Sequence, residues 1–150
     1  MSVLSWGKPK VEYGVVASDG TAPTTWKSFS EIVSGTAKLT TEKGTKTEAV
    51  EEGGGIVDVY NGKNKYVFEF ELFVKKGDEK PIADEDGVIT DNYAVRLTPE
   101  DPTNEGFILD KANVSCEESW SSADGKRWKY TFSGLKPKTG TILKPNNVSA

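Results

Sequence analysis

Between Lys65 and Val74, large apolar residues take every second position: Tyr66, Phe68, Phe70, Leu72 and Val74 share one parity, and Lys65, Glu69 and Glu71 share the other. A helix would spread those five side chains around its circumference, whereas a period of two places them all on one face of a strand, against a core. Weaker alternation recurs in Lys10 to Ala17 (Val11, Tyr13, Val15), in Asn92 to Leu97 (Tyr93, Val95, Leu97) and in Arg127 to Phe132 (Trp128, Tyr130, Phe132). Thr36 to Glu42 carries β-branched residues instead of large apolar ones, and Ile56-Val-Asp-Val-Tyr60 is a short segment before a turn; both also read as strands.

Turn chemistry separates these segments. Asp19-Gly20, Lys43-Gly44, Asn61-Gly62, Lys76-Gly77-Asp78, Asp86-Gly87 and Asp124-Gly125 supply residues that tolerate a positive φ. The Gly62-Lys63 step is expected to turn the Ile56 to Tyr60 strand back onto the long one that begins near Lys65. One short helix is expected at Trp26 to Val33, where Thr24 or Thr25 can cap the start, Trp26, Phe29, Ile32 and Val33 form a stripe, and Gly35 would end it. No repeat, linker or low-complexity block divides the chain. The expectation is therefore one domain over residues 1–150, mainly β, an antiparallel sandwich or barrel-like domain with that one helix.

Charge and composition narrow the chemistry. The 19 basic and 23 acidic residues are interspersed and sum to −4, so no basic face is available to a phosphate backbone and no sequence-specific nucleic-acid binding is expected. No 18-residue apolar stretch suits a membrane span, and Met1 to Lys8 lacks the charged and apolar regions of a signal peptide, so the expected location is the bacterial cytoplasm unless the chain joins a particle. Cys116, the single cysteine, reads as a small buried hydrophobe.

The chain has no histidine, which together with a lone cysteine removes Ser-His-Asp and Cys-His arrangements and nearly every metal site with nitrogen or sulfur ligands. Glu69 and Glu71, roughly 6.6–7 Å apart along one strand face, read as a solvated face beside Lys65 and Lys75 and not as a glycosidase pair. Ala83 to Ile89 imitates the middle of a calcium loop, but Ile82 and Tyr93 stand where the first ligand and the closing Glu belong, so a polar turn is expected. Glu51-Glu52-Gly53-Gly54-Gly55 lacks the Lys-Ser/Thr of a phosphate loop, and its two acids would repel an anion. No catalytic residue, metal ligand or cofactor is expected, and the chain is not expected to be an enzyme.

Glu48 to Glu52 instead reads as an exposed acidic arm leading into flexible glycines. The edges of a β-domain must be covered or matched by another chain, and further copies of the same polypeptide can do this. Head-to-tail pairing closes rings, and rings stack when an arm of one reaches the next. The alternative is a monomeric β-sandwich binding module, for instance for carbohydrate, in which exposed rings among Trp6, Trp26, Trp120 and Trp128 would stack on sugars.

Four segments in order, WKSFSEIV at Trp26 to Val33, LTTEKGT at Leu39 to Thr45, EEGGGIVD at Glu51 to Asp58 and YVFEFELF at Tyr66 to Phe73, give the first half of the chain a pattern that resembles the phage tail tube (major tail) protein family. The resemblance implies two packed antiparallel sheets with a flanking helix. It also implies a structural virion or prophage subunit, six copies of which form a ring whose inner wall is a continuous β-barrel for DNA, with other tail proteins as further partners. The family's long loop between early strands maps onto Lys43 to Gly55, which makes Glu48, Glu51, Glu52, Gly53, Gly54 and Gly55 candidate contacts between subunits or stacked rings. An acidic chain suits a conduit that must not grip DNA. The second half, including Pro99 to Pro102 and the polar tail Leu143 to Ala150, departs from the pattern.

Overall fold

The computed structural model describes residues 3–21, 23–29 and 31–146, so Met1, Ser2, Ala22, Ser30 and the last part of the tail, 147–150, lie outside the described residues. The chain runs through β1 (Lys10–Val15), β2 (Lys27–Ser28), β3 (Lys38–Glu42), β4 (Lys46–Val50), β5 (Ile56–Asn61), β6 (Lys65–Phe73), β7 (Val88–Thr98), β8 (Gly106–Ser121), β9 (Gly125–Gly134) and β10 (Leu143–Asn146). One sheet takes the order β2-β1-β7-β8-β9-β6-β3, with β10 alongside β8, and β4 and β5 form a second sheet of their own. All the named pairings are antiparallel. The mainly β, antiparallel fold expected from the alternation is the fold observed.

The alternating residues of β6 build the core in rows. Phe68 stands opposite Phe132, Phe70 opposite Tyr130 and Leu72 opposite Trp128, and β8 continues the rows with Val114, Cys116 and Glu118. Every one of these except Glu118 is buried. Across the interior, the Phe29 ring meets Phe70 edge-on with centroids 4.7 Å apart, and Phe107 meets Phe68 likewise at 5.0 Å. Each such contact adds about 0.5–1.5 kcal/mol beyond area burial.

The helix expected over Trp26 to Val33 is not formed; among the described residues there is no helix at all, and hence none of the flanking kind that the family pattern implies. Its described residues are extended and pair with both flanking strands, closing the sheet into a barrel. The Phe29 amide donates to the Val11 carbonyl of β1, while the Val33 amide donates to the Glu71 carbonyl of β6 and the Phe73 amide to Glu31. Ile32 bridges Leu72. Eight residues with adjacent β-branched Ile32 and Val33 gain little as an isolated helix, whereas extended pairing satisfies backbone groups on both flanking strands and still buries Phe29 and Val33. Of the expected stripe, Phe29 lies in the core and Ile32 packs against it, whereas Trp26 stacks under the Arg96 guanidinium, and the period was wrong.

The turn expected at Gly62-Lys63 also needs correction. β5 pairs with β4 and not with β6, and residues 62–64 carry the chain onward from one sheet to the other. Gly44 and Gly62 face each other at this joint: the Gly62 amide donates to Thr45 O at 2.7 Å, and a Cβ on Gly44 would stand 2.0 Å from the Gly62 carbonyl oxygen. They serve close backbone approach and not reversal.

Candidate functional site

Because β3 pairs with β6 through Glu42 and Lys65, and β4 pairs with β5 just beyond, β3 to β6 together make one long ribbon. Its base is a wall of the barrel, and its outer half, β4, the tip and β5, stands clear as an arm. All eleven residues of β4 and β5 are exposed. An isolated two-stranded hairpin is marginal in water, and both outer edges of this one lack a neighbouring strand among the described residues.

Register sets the chemistry of its faces. Lys46, Glu48 and Val50 share one face with Asn61, Val59 and Ile56, their cross-strand partners, and Val57 is the extra residue where the register shifts between Ala49 and Val50. Exposure is 56% at Val50, 59% at Ile56, 70% at Val57 and 73% at Tyr60. Val50, Ile56 and Val57 are β-forming apolar side chains placed in solvent together beside the tip, a patch and not the scattered exposure normal to a surface, while Tyr60, opposite Thr47, lies on the other face.

All six residues singled out in the sequence lie on this arm. Glu48 sits in β4, ion-paired to Lys46 at 3.2 Å. Glu51 to Gly55 form the tip, with the Glu51 amide donating to Gly55 O at 2.8 Å and the Gly54 amide to Glu51 O at 3.0 Å. Gly53 and Gly54 take φ values of 106° and 96°, a conformation that side chains rarely adopt. Lys43 to Gly55 is thus a strand and a tight tip instead of a loop. Sequence reasoning missed the apolar residues: Ile56 to Tyr60 was recognisable as a strand, but its exposure followed from the absence of a matching apolar strand in Lys46 to Val50.

The other candidates resolve into structural roles. Glu69 lies between Lys129 at 3.0 Å and Lys38 at 3.2 Å, and their hydrogen bonds, Lys129 first, hold its carboxyl below the usual carboxylate range. Arg127 approaches Glu71 at 3.9 Å. Asp84 accepts from Lys80 at 2.6 Å and from the Gly87 amide at 2.6 Å, and Asp86-Gly87 is a two-residue reversal with positive φ at both positions, so the calcium-like run is a turn. Cys116 is buried, and burial raises its thiol pKa. Trp128 is buried with its indole donating to Glu118, and Trp26 lies under the Arg96 guanidinium at 4.2 Å, whereas Trp6 and Trp120 are exposed.

No family model matches the chain, and no curated protein matches it.

Proposed function

We propose that this chain is a structural subunit that assembles with copies of itself, and that the assembly is a stack of rings, hexameric in the tail tube manner, forming a conduit for DNA in a phage or prophage tail. The observation that carries self-assembly is the arm, a ribbon with open edges and an exposed apolar patch, built onto a barrel that is otherwise closed around its own core. Covering Ile56 and Val57 against a neighbour is worth about 1.5–3 kcal/mol for each side chain fully buried, and a further strand along β4 or β5 would satisfy backbone groups left to water. The tail tube pattern supplies the ring and the cargo. Interspersed charges summing to −4 support a wall that does not hold DNA.

The test compares the intact chain with Ile56→Lys/Val57→Lys by light scattering and negative-stain imaging. Rings or tubes from the intact chain and monomers from the variant are expected. A monomer at high concentration whose fluorescence responds to glycans would replace the reading with the carbohydrate-binding one.

A further inference from the structure

β5 ends on Asn61, and Gly62 carries the chain into the joint between arm and barrel. Asn61-Gly62 is the one Asn-Gly step in the sequence. A side-chain amide is an electrophile within reach of the next residue's backbone nitrogen, and a glycine there has no Cβ to obstruct the approach. Asn61 is exposed, so water reaches it. Exposure alone does not distinguish it, because Asn64 and Asn113 are exposed as well. Lys65 and Val114 follow those two, however, and their side chains crowd the attacking nitrogen. Asn113 is also held on both sides, opposite Asn92 in β7 and Ser133 in β9.

The joint restrains this chemistry. The nitrogen that would attack is the Gly62 amide, whose proton is donated to Thr45 O at 2.7 Å, and Asn61 itself is fixed in extended pairing opposite Lys46. Ring closure requires Asn61 to leave the extended conformation and Gly62 to release Thr45. Asn64 Oδ1 supports the closed joint by accepting from the Gly44 amide at 2.9 Å. Yet the hairpin beyond is only two strands, an element marginal by itself, so its end opens at lower cost than the strands of the barrel.

We propose that Asn61 is a site of spontaneous modification by water, gated by opening of the joint. On opening, the Gly62 nitrogen gives up its proton to solvent and bonds to Asn61 Cγ. The Cγ–Nδ2 bond breaks, ammonia leaves, and a cyclic imide remains. Water then adds to either imide carbonyl: at Cγ it yields an aspartyl residue, and at the backbone carbon an isoaspartyl residue whose β-carbon now lies in the main chain. The net change is amide plus water to carboxylic acid plus ammonia, with no oxidant or reductant. Both products add a negative charge. The isoaspartyl product also lengthens the backbone where none can be accommodated, since a Cβ on Gly44 would already stand 2.0 Å from the Gly62 carbonyl oxygen, so the joint does not close again. The step needs only the joint and is independent of assembly.

Incubation of the full-length chain at mildly alkaline pH, folded and in guanidinium, followed by peptide mapping with isoaspartyl standards, tests it. In the folded chain Asn61 is expected to convert about tenfold faster than Asn64 or Asn113, and about tenfold slower than it does in the unfolded chain. Asn64→Ala, which removes the acceptor of the Gly44 amide at an exposed position, is expected to speed conversion of folded Asn61 about threefold with circular dichroism unchanged. An Asn61 that stays intact in the folded chain while Asn64 or Asn113 converts would overturn the site. Equal rates for Asn61 in folded and unfolded chains, or a rate that Asn64→Ala leaves unchanged, would overturn the gate.

Discussion

Tyr130 shows how a single side chain ties the barrel to its longest irregular connection. Its hydroxyl donates to Ile82 O at 2.7 Å and accepts from the Ile82 amide at 3.4 Å, while Tyr13 donates to Pro81 O at 3.1 Å from the other side. Burial is the main reason the Tyr130 phenol is raised far above its ordinary range, with Cys116 beside it adding to the effect. Tyr130→Phe keeps the ring but leaves the Ile82 backbone unpaired in the core. The expected loss is about 1–3 kcal/mol, read in calorimetry as roughly 2–4 °C of Tm per kcal/mol for a chain this long. Asp84, 4% exposed at its side chain, makes the same connection pH-sensitive. The Lys80 hydrogen bond, and then the Gly87 amide, hold its carboxyl below the usual range. A depressed carboxyl stabilises the fold above its unfolded pKa, about 3.9, and loses that contribution as pH falls through the folded value. Denaturant titrations should show Asp84→Asn less stable than the parent at pH 7, with the gap closing below about pH 4. A gap independent of pH would contradict the assignment.

Among the elements, the arm depends on its joint. Gly44→Val would drive a side chain into the Gly62 carbonyl, at the point where the ribbon passes from barrel to arm. Assembly should be lost, while thermal unfolding of the barrel changes little, because none of β4 or β5 contributes to the core. What the sequence made legible follows parity. β6 and β9 keep one alternation through Phe68, Phe70, Leu72 and Trp128, Tyr130, Phe132, so both were readable. β8 was not, because Val95 pairs with Leu109 and Tyr93 with Ala112. Asp110 and Lys111 therefore oppose Ala94 alone, and the buried set shifts parity from Leu109 to Ala112, Val114 and Cys116. β10 has too few apolar residues to announce itself, and it forms only because β8 presents an open stretch beyond β9. The closing segment looked helical because Phe29, Ile32 and Val33 recur at helical spacing, and only pairing partners distant in sequence select the extended form. For the candidate site, the acidic and glycine residues of the arm were visible as unusual composition. Its shape and apolar patch were not, since exposure is decided by what the rest of the chain fails to cover.

At the scale of the molecule, the barrel has a filled core and the arm has none. Aromatic rows from β6 and β9 fill the interior, and charged pairs such as Lys38–Glu69–Lys129 and Glu12–Arg96 cover part of the outside; Val88 and Trp120 are exposed on the barrel, but only on the ribbon of β4 and β5 do exposed apolar side chains accompany two strands that no third strand flanks among the described residues. An element that is marginal by itself is stabilised when another copy binds it, so its local stability must rise with association. The most direct measurement is amide hydrogen exchange across residues 46–61 of the intact chain over a range of concentrations, with mass followed in parallel. Slow exchange in the arm that appears together with the oligomer, against barrel protection that stays constant, is the predicted result. An oligomer whose arm amides exchange as fast as those of the monomer, or a chain that stays monomeric throughout, would contradict it.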